Sequence, residues 1–137
     1  MRSFRFMIWV LAMSVAMGVL GYTGCASFSQ RAKLQSFDEV SKHYRLAMLR
    51  SNYDQAVEIG QSDAPKDLSF LNNFHVVSYT LKKITFSKEK SEAFQTVEIE
   101  YYRVDSMRQK IVIDEQKWSY QPDNQMWVLS SGLPRFH

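Results

Sequence analysis

The chain contains a single cysteine, Cys25, which directly follows the small residues Thr23 and Gly24. A cysteine thiolate is a strong nucleophile, so this position is the first candidate for covalent chemistry. Two arginines lie within the first five residues, and residues 6–20 then form an apolar run without a charged side chain. A basic start, an apolar run of about 7–15 residues and small residues before a cut are typical of an export signal. Cys25 therefore lies where such a signal would be cleaved.

The segment Tyr22-Thr23-Gly24-Cys25 resembles the lipobox of bacterial lipoproteins. Thr23 and Gly24 match the family pattern, whereas Tyr22 replaces the aliphatic residue that is usual there. The resemblance implies a diacylglyceryl thioether on the Cys25 thiol and cleavage by a signal peptidase between Gly24 and Cys25. Residues 1–24 are then a signal peptide. Two or three acyl chains would anchor the protein stably, because each buried CH₂ contributes about 0.8 kcal/mol.

Two alternatives remain open, an uncleaved transmembrane anchor and simple secretion. The apolar run is short for a membrane span, which needs about 20 residues. In Gram-negative lipoproteins an aspartate after the cysteine favours the inner membrane, and this chain has Ala26 at that position. The resemblance therefore implies attachment to the outer membrane, on the periplasmic face. The implied partners are the membrane, through the lipid, and an envelope protein or a second copy of the chain.

Length and composition indicate one globular domain rather than a disordered chain. The 137 residues are 45% hydrophobic and 23% charged, and the formal net charge is +3. Removing residues 1–24 removes two arginines and lowers that charge to +1. No basic stripe with interleaved aromatic residues is present, so nucleic-acid binding is not expected.

The three histidines, His43, His75 and His137, are too far apart in sequence to form a spaced metal motif. The chain also has no glycine-rich phosphate loop and no nucleophile motif such as G-x-S-x-G. We therefore assign no catalytic residue, no metal and no cofactor from the sequence. His43 and His75 are expected to be exposed or to lie at the rim of the domain, and His137 is expected to be mobile.

Helical signals follow the predicted lipid site. Residues 25–35 are polar and rich in small side chains, which favours a tether between the lipid and a domain at 36–137. Ser36 and Glu39 have the spacing of a capping box, and apolar residues at three- and four-residue steps predict a helix over about 37–50. A shorter second helix is expected to end at Gly60.

Four strands are predicted after this helical part, beginning near His75, because hydrophobicity then alternates with a period of two. The alternation slips at Lys82-Lys83, which predicts a bulge in the first strand. Residues 121–124, with the sequence QPDN, predict a hairpin between the last two strands. Short turns require antiparallel pairing. The fold class is therefore α+β, with one or two helices packed on a four-stranded antiparallel sheet.

This element order, with the stretches YRLAMLRSNYDQAVEI and KWSYQPDNQMWVLSSGLP, resembles the NTF2-like and cystatin-like domains over roughly residues 36–134. The resemblance implies a roll-shaped domain that often dimerises through the outer face of its sheet. Our first hypothesis is a non-enzymatic binding or assembly domain whose sheet face contacts another envelope protein or a small apolar ligand, and a purely structural envelope component is a further possibility. The alternative is a small isomerase or dehydratase, which in this family places an Asp–His pair or an Asp–Tyr set in the cone between helix and sheet.

The candidate binding residues are aromatic. Tyr102, Trp118, Tyr120 and Trp127 lie on the last three predicted strands. Large aromatic residues on a half-buried sheet usually pack as core and cross-strand pairs. The competing interpretation is that one row stays exposed and binds a ligand or partner. No acidic residue is expected at an inward strand position, since Glu98 and Glu100 fall opposite the apolar face of their strand.

Overall fold

The computed structural model describes residues 23–137, with side chains from residue 29 onward. Helix α1 spans Thr23–Leu49 and helix α2 spans Tyr53–Gly60, and a 3-10 turn follows at Ser69–Asn73. The four strands are β1 (Phe74–Phe86), β2 (Glu92–Arg103), β3 (Gln109–Gln121) and β4 (Met126–Leu129). They form one antiparallel sheet in the order β1-β2-β3-β4, with the helices packed on one face. The predicted α+β class is confirmed.

Helix α1 begins at Thr23 rather than near residue 37, so residues 26–35, expected to be a tether, are helical. Ser36 is consequently not the N-cap of the helix. Its hydroxyl donates a hydrogen bond to the carbonyl oxygen of Lys33, 2.9 Å away, inside the helix. The physical reason is that residues 26–35 contain no glycine or proline and several good helix formers, so nothing stops the helix there. The compact unit that contains the sheet comprises Lys33–His137.

Most of the predicted signal peptide, residues 1–24, lies outside the described residues. Gly24 and Cys25 are described by their backbone only, within α1. Lipidation and cleavage at these residues therefore stay predictions. Among the described residues, no helix combines the length and the apolar character needed to cross a membrane.

The core between α1 and the sheet is aromatic. The Phe37 ring lies 5.3 Å from Phe86, 5.9 Å from Trp118 and 5.0 Å from Trp127, each contact edge to face. The sheet register pairs Phe86 with Ala93 and Ala93 with Trp118, all on the inner face. Because Ala93 is small and fully buried, it leaves room for the Phe37 ring between its larger neighbours. This cluster fixes the helix on the sheet.

Strand β1 is irregular. Its register against β2 shifts between Val76 and Ser78 and again between Leu81 and Lys83. The second shift confirms the bulge predicted from the phase slip at Lys82-Lys83. The hairpin predicted between the last two strands is also confirmed, because β3 ends at Gln121 and β4 begins at Met126.

The last residues of the chain pack against the sheet. Phe136 stacks on Phe74 at 5.6 Å, and its ring lies 4.7 Å from Tyr101. The Tyr101 hydroxyl donates a hydrogen bond of 3.0 Å to the backbone oxygen of His137, and Lys110 Nζ donates another of 2.8 Å. Two side chains thus bind the backbone of His137, the residue that the sequence predicts to be mobile.

Candidate functional site

The aromatic residues predicted as a binding surface do not share one face. Trp118 and Trp127 are buried in the core, with exposed fractions of 0% and 2%, so neither can contribute to an accessible surface. The Trp127 indole also donates hydrogen bonds to the Lys33 carbonyl oxygen at 3.1 Å and to Ser36 Oγ at 3.2 Å. The core interpretation holds for both tryptophans, and the surface prediction is wrong for them.

The two tyrosines of the predicted surface lie on opposite faces of the sheet. Tyr120 is half-buried on the inner face, where its ring lies 5.4 Å from Trp127 and Lys33 Nζ sits 5.1 Å above it. Tyr102 is half-buried on the outer face, and its ring stacks on that of His75 at 5.4 Å. Of the four predicted residues, Tyr102 alone thus borders the face that the helices leave uncovered.

The middle of the inner face carries a polar cluster. The Gln116 amide is its centre, because its Nε2 lies 2.7 Å from Asp114 Oδ2 and 2.9 Å from the Tyr79 hydroxyl. The Trp118 indole N–H points to Gln116 Oε1 at 3.4 Å. Gln116 is buried and Asp114 half-buried. A carboxylic acid is therefore held among hydrogen-bonding groups between the sheet and α1.

Burial shifts the titration of the groups in this cluster. Desolvation raises the pKa of Asp114 above its ordinary value, against the hydrogen bond from Gln116, which lowers that pKa. Desolvation likewise raises the pKa of Tyr79 and that of Tyr44. Tyr44 is fully buried, and its hydroxyl has no hydrogen-bond partner within the described chain. Both hydroxyls therefore stay protonated at physiological pH, so they can donate hydrogen bonds.

The position of Asp114 corrects the expectation that no acidic residue faces inward. The register pairs Asp114 with Val97, which is fully buried on the inner face. Alternate residues of a strand share one face, so Trp118, Gln116 and Asp114 all point inward. The inward direction of Asp114 could therefore have been predicted from the strand period. The pattern was missed because the inward positions of this strand carry polar residues, so its sequence does not alternate between apolar and polar residues.

Beside this cluster, a groove opens between α1 and the first two strands. Its volume is about 270 Å³. Helix α1 contributes one wall and the inner face of β1 and β2 the floor; the lining residues are Asp38, Ser41, Lys42, Arg45, Tyr79, Leu81 and Gln95. The groove exists because α1 does not cover the β1 edge, where Leu81 is 47% exposed.

No described helix or loop covers the outer face of the sheet. Its exposed apolar residues include Ile111 and Ile113 on β3, 58% and 52% exposed, Phe94 on β2 and Met126 on β4. Two ion pairs flank them; they join Lys82 to Glu98 at 3.0 Å and Lys117 to Glu92 at 2.8 Å. The face therefore combines an apolar strip with charges of both signs.

The three histidines do not form a metal site with other potential ligands of the described chain. His43 and His75 are exposed, as expected, and they lie on α1 and on the outer face of β1. Within residues 29–137, whose side chains are described, no group of three or more His, Cys, Asp or Glu side chains has the geometry to hold a metal ion.

Comparison with known proteins gives no relative. No protein-family model matches the chain, no curated protein matches it, and no solved structure matches its fold. The resemblances to lipoproteins and to NTF2-like domains therefore rest on the residues and the element order alone.

Proposed function

We propose that this protein is a lipid-anchored, non-catalytic binding domain of the bacterial cell envelope. Cys25 carries the lipid, in the outer membrane on its periplasmic side, and the outer face of the sheet docks on a protein. That protein is a second copy of the chain or another envelope protein. The supporting observation is the strip of exposed isoleucines on a sheet face that the rest of the described domain leaves bare.

Isoleucine is among the residues most often buried in folded proteins. Ile111 and Ile113 are adjacent on the outer face of β3, and each exposes more than half of its surface. Isolated exposed apolar residues need no explanation, but neighbours on a flat, uncovered sheet form a patch that favours association. Burying both side chains against a partner would remove this apolar surface from water.

The charges around the strip fit a two-fold symmetric contact. In such a contact the same patch faces itself, so it must carry complementary groups. The outer face does so, with Lys83 and Lys117 as cations and Glu100 and Glu115 as anions. The NTF2-like resemblance implies dimerisation through this same face. Confinement to a membrane would also raise the effective concentration of each copy.

The lipid anchor is tested by the intact mass of the protein extracted from membranes, with Cys25→Ser as the control. A chain that begins at Cys25 and carries acyl mass, both lost in the serine variant, is the expected result. An intact Met1 terminus without lipid would show an uncleaved anchor and overturn the lipoprotein assignment.

The outer-face contact is tested by sedimentation equilibrium of the detergent-solubilised lipoprotein. We expect a dimer for the wild type and a monomer for Ile113→Glu, because the new carboxylate would be buried in the contact. Leu46→Glu is the matched control, since it places the same charge on an exposed apolar position of α1. A monomeric wild type at high concentration would exclude a second copy as the partner.

One observation favours a second candidate, a small isomerase or dehydratase. Asp114, Tyr79 and Tyr44 all project from the elements that enclose the inner face, and all three have raised pKa values. A carboxylate with a raised pKa is a stronger base for removing a proton next to a carbonyl group. A neutral tyrosine hydroxyl can then donate a hydrogen bond to the oxyanion that develops.

This second candidate is tested by proton exchange. The protein is incubated in D₂O with 2-cyclohexenone and with an N-acetylcysteamine thioester of 3-hydroxybutyrate, and deuterium incorporation next to the carbonyl carbon is followed by NMR. An enzyme of this class would catalyse exchange in the wild type and lose it in Asp114→Asn. Exchange that is absent, or equal in both proteins, would reject this candidate.

A further inference from the structure

The groove beside α1 lies on the opposite side of the sheet from the outer-face strip, so an inference about it does not depend on the proposed docking function. Three features of its lining point to a ligand. They are a buried amide, two cations on one helix face, and an apolar floor.

Gln95 supplies the amide. It is 93% buried, since its exposed fraction is 7%, and it lines the groove from the inner face of β2. Its side chain makes no hydrogen bond to any group within residues 29–137, in contrast to Gln116 in the same layer, which has three side-chain partners. Tyr44 and Ser62 are the residues whose buried polar atoms lack a partner within the described chain, so the Gln95 amide, which has no protein partner, keeps access to solvent through the groove. A ligand bound in the groove could therefore form hydrogen bonds with the Gln95 amide.

Lys42 and Arg45 supply the cations. They are three residues apart on α1, so they lie on the same helix face, and both line the groove. Neither forms an ion pair within the described part of the chain, whereas Lys82 and Lys117 on the outer face both do. Arg45 is close enough to Tyr79 for its charge to lower the pKa of that hydroxyl. The α1 wall of the groove is therefore electropositive where it meets the floor formed by β1 and β2.

Leu81 and the ring of Tyr79 supply the apolar floor. The side chain of Leu81 is 47% exposed although it points to the inner face, because α1 does not reach this edge. Asp38 lies on the same wall as the two cations. Its carboxylate would repel a second anionic group, so the lining favours a ligand with one negative charge.

We infer that this groove binds a small monoanionic ligand with a carboxylate, an amide and an apolar side chain, as in an N-acylated amino acid. Arg45 and Lys42 bind the carboxylate, Arg45 through the paired N–H donors of its guanidinium. The Gln95 amide exchanges hydrogen bonds with the ligand amide, and Leu81 contacts its apolar group. The volume of about 270 Å³ is near the lower limit for small-molecule sites, which suits a ligand of this size.

The test is a titration of the isotope-labelled mature lipoprotein in detergent with N-acetyl-L-leucine, followed by NMR chemical shifts. We expect saturable shifts at the side-chain amide of Gln95 and the methyl groups of Leu81. Arg45→Gln should weaken binding about tenfold or more, because hydrogen bonds to charged groups contribute about 1.5–3 kcal/mol. Lys83→Gln on the outer face is the matched control, because Lys83 is an exposed cation as Arg45 is. This variant should bind the ligand as the wild type does.

N-acetyl-L-leucine methyl ester distinguishes charge recognition from apolar partition. The ester keeps the amide and the side chain, and we expect it to bind at least tenfold more weakly. Equal binding of acid and ester, equal loss in Arg45→Gln and Lys83→Gln, or shifts confined to residues outside the groove would each overturn the inference. Absence of any saturable shift would overturn it as well. None of these results bears on the dimer measured by sedimentation.

Discussion

The two faces of the sheet are built on different principles. On the inner face Trp118 is completely buried and packs against Phe37 and Tyr44 from α1. On the outer face of the same strand, Ile111 and Ile113 expose more than half of their surface. Strand β3 thus contributes Trp118 and Val112 to the inner face and leaves its two isoleucines largely in solvent. The period of one strand therefore separates the side chains that stabilise the fold from those on which the proposed docking depends.

The largest effect is expected from Trp118→Ala. It removes a fully buried aromatic side chain and should lower the free energy of unfolding by about 3–5 kcal/mol. Urea unfolding of the purified domain measures this loss. Ile113→Ala on the outer face is the matched control, and we expect it to cost less than about 1 kcal/mol because little buried surface is lost. Comparable losses in the two variants would mean that the outer face is also part of the core.

Two tyrosine variants test the polar part of the inner face. Tyr44→Phe removes a buried hydroxyl without a partner, so we expect the free energy of unfolding to rise by about 1 kcal/mol. Tyr79→Phe removes a hydroxyl that is bonded to Gln116, and we expect a decrease of about 1–2 kcal/mol. Urea unfolding of both variants provides the comparison. Equal effects of the same sign would contradict the described hydrogen-bond network.

The pH dependence of stability tests the environment of Asp114. Its pKa is raised in the folded protein, so between its ordinary value and the raised value the folded state binds more protons than the unfolded state. The contribution of Asp114 is therefore most favourable below about pH 4 and is lost as the pH rises through the folded pKa. We expect the stability of the wild type to fall over this range relative to that of Asp114→Asn, whose amide oxygen still accepts from Gln116.

Urea unfolding at a series of pH values measures this difference, and the subtraction cancels the other carboxyl groups. Asp67 is a useful reference, because hydrogen bonds to Ser69 lower its pKa, which is the opposite direction. A constant difference between the wild type and Asp114→Asn at all pH values would contradict a shifted pKa for Asp114.

The smallest effect on stability is expected on the outer face. Ile111→Ser should change the free energy of unfolding by about 0.5 kcal/mol or less, because the side chain is mostly in solvent. We nevertheless expect it to weaken self-association in the sedimentation experiment. A variant that keeps its dimer while losing stability would reverse the roles assigned to the two faces.

Much of the fold could be predicted from residue patterns. The alternation of Val97, Ile99 and Tyr101 identified the buried face of β2, and the phase slip at Lys82-Lys83 located a real bulge. These features are local, since strand period and backbone register depend on neighbouring residues. The start of α1 could not be predicted. Ser36 has the spacing of a capping residue and precedes a clear apolar period, so it marks a false start. The residues before it favour a helix only through their intrinsic propensity.

The candidate site was harder to predict than the fold. Asp114 and Gln95 are polar, so their inward direction shows only when the strand register is known. The groove depends on where α1 crosses the sheet, which the packing of Phe37 against Trp118 and Trp127 decides. Such long-range contacts are absent from any single stretch of sequence. The aromatic prediction failed for Trp118 and Trp127 for the same reason, since both faces of the last strands carry large side chains.

Site-specific photocrosslinking in intact cells is the decisive test of a docking surface on the outer face of the sheet. A photoreactive residue is placed at position 113 on the outer face, and in a second protein at the exposed position 54 of α2. We expect one discrete adduct from position 113, with the mass of a second copy or of one envelope protein, and we expect it to be lost when Ile111→Glu is added. Position 54 should give no such adduct. Equal crosslinking from both positions, or none from position 113, would contradict a docking surface on the outer face.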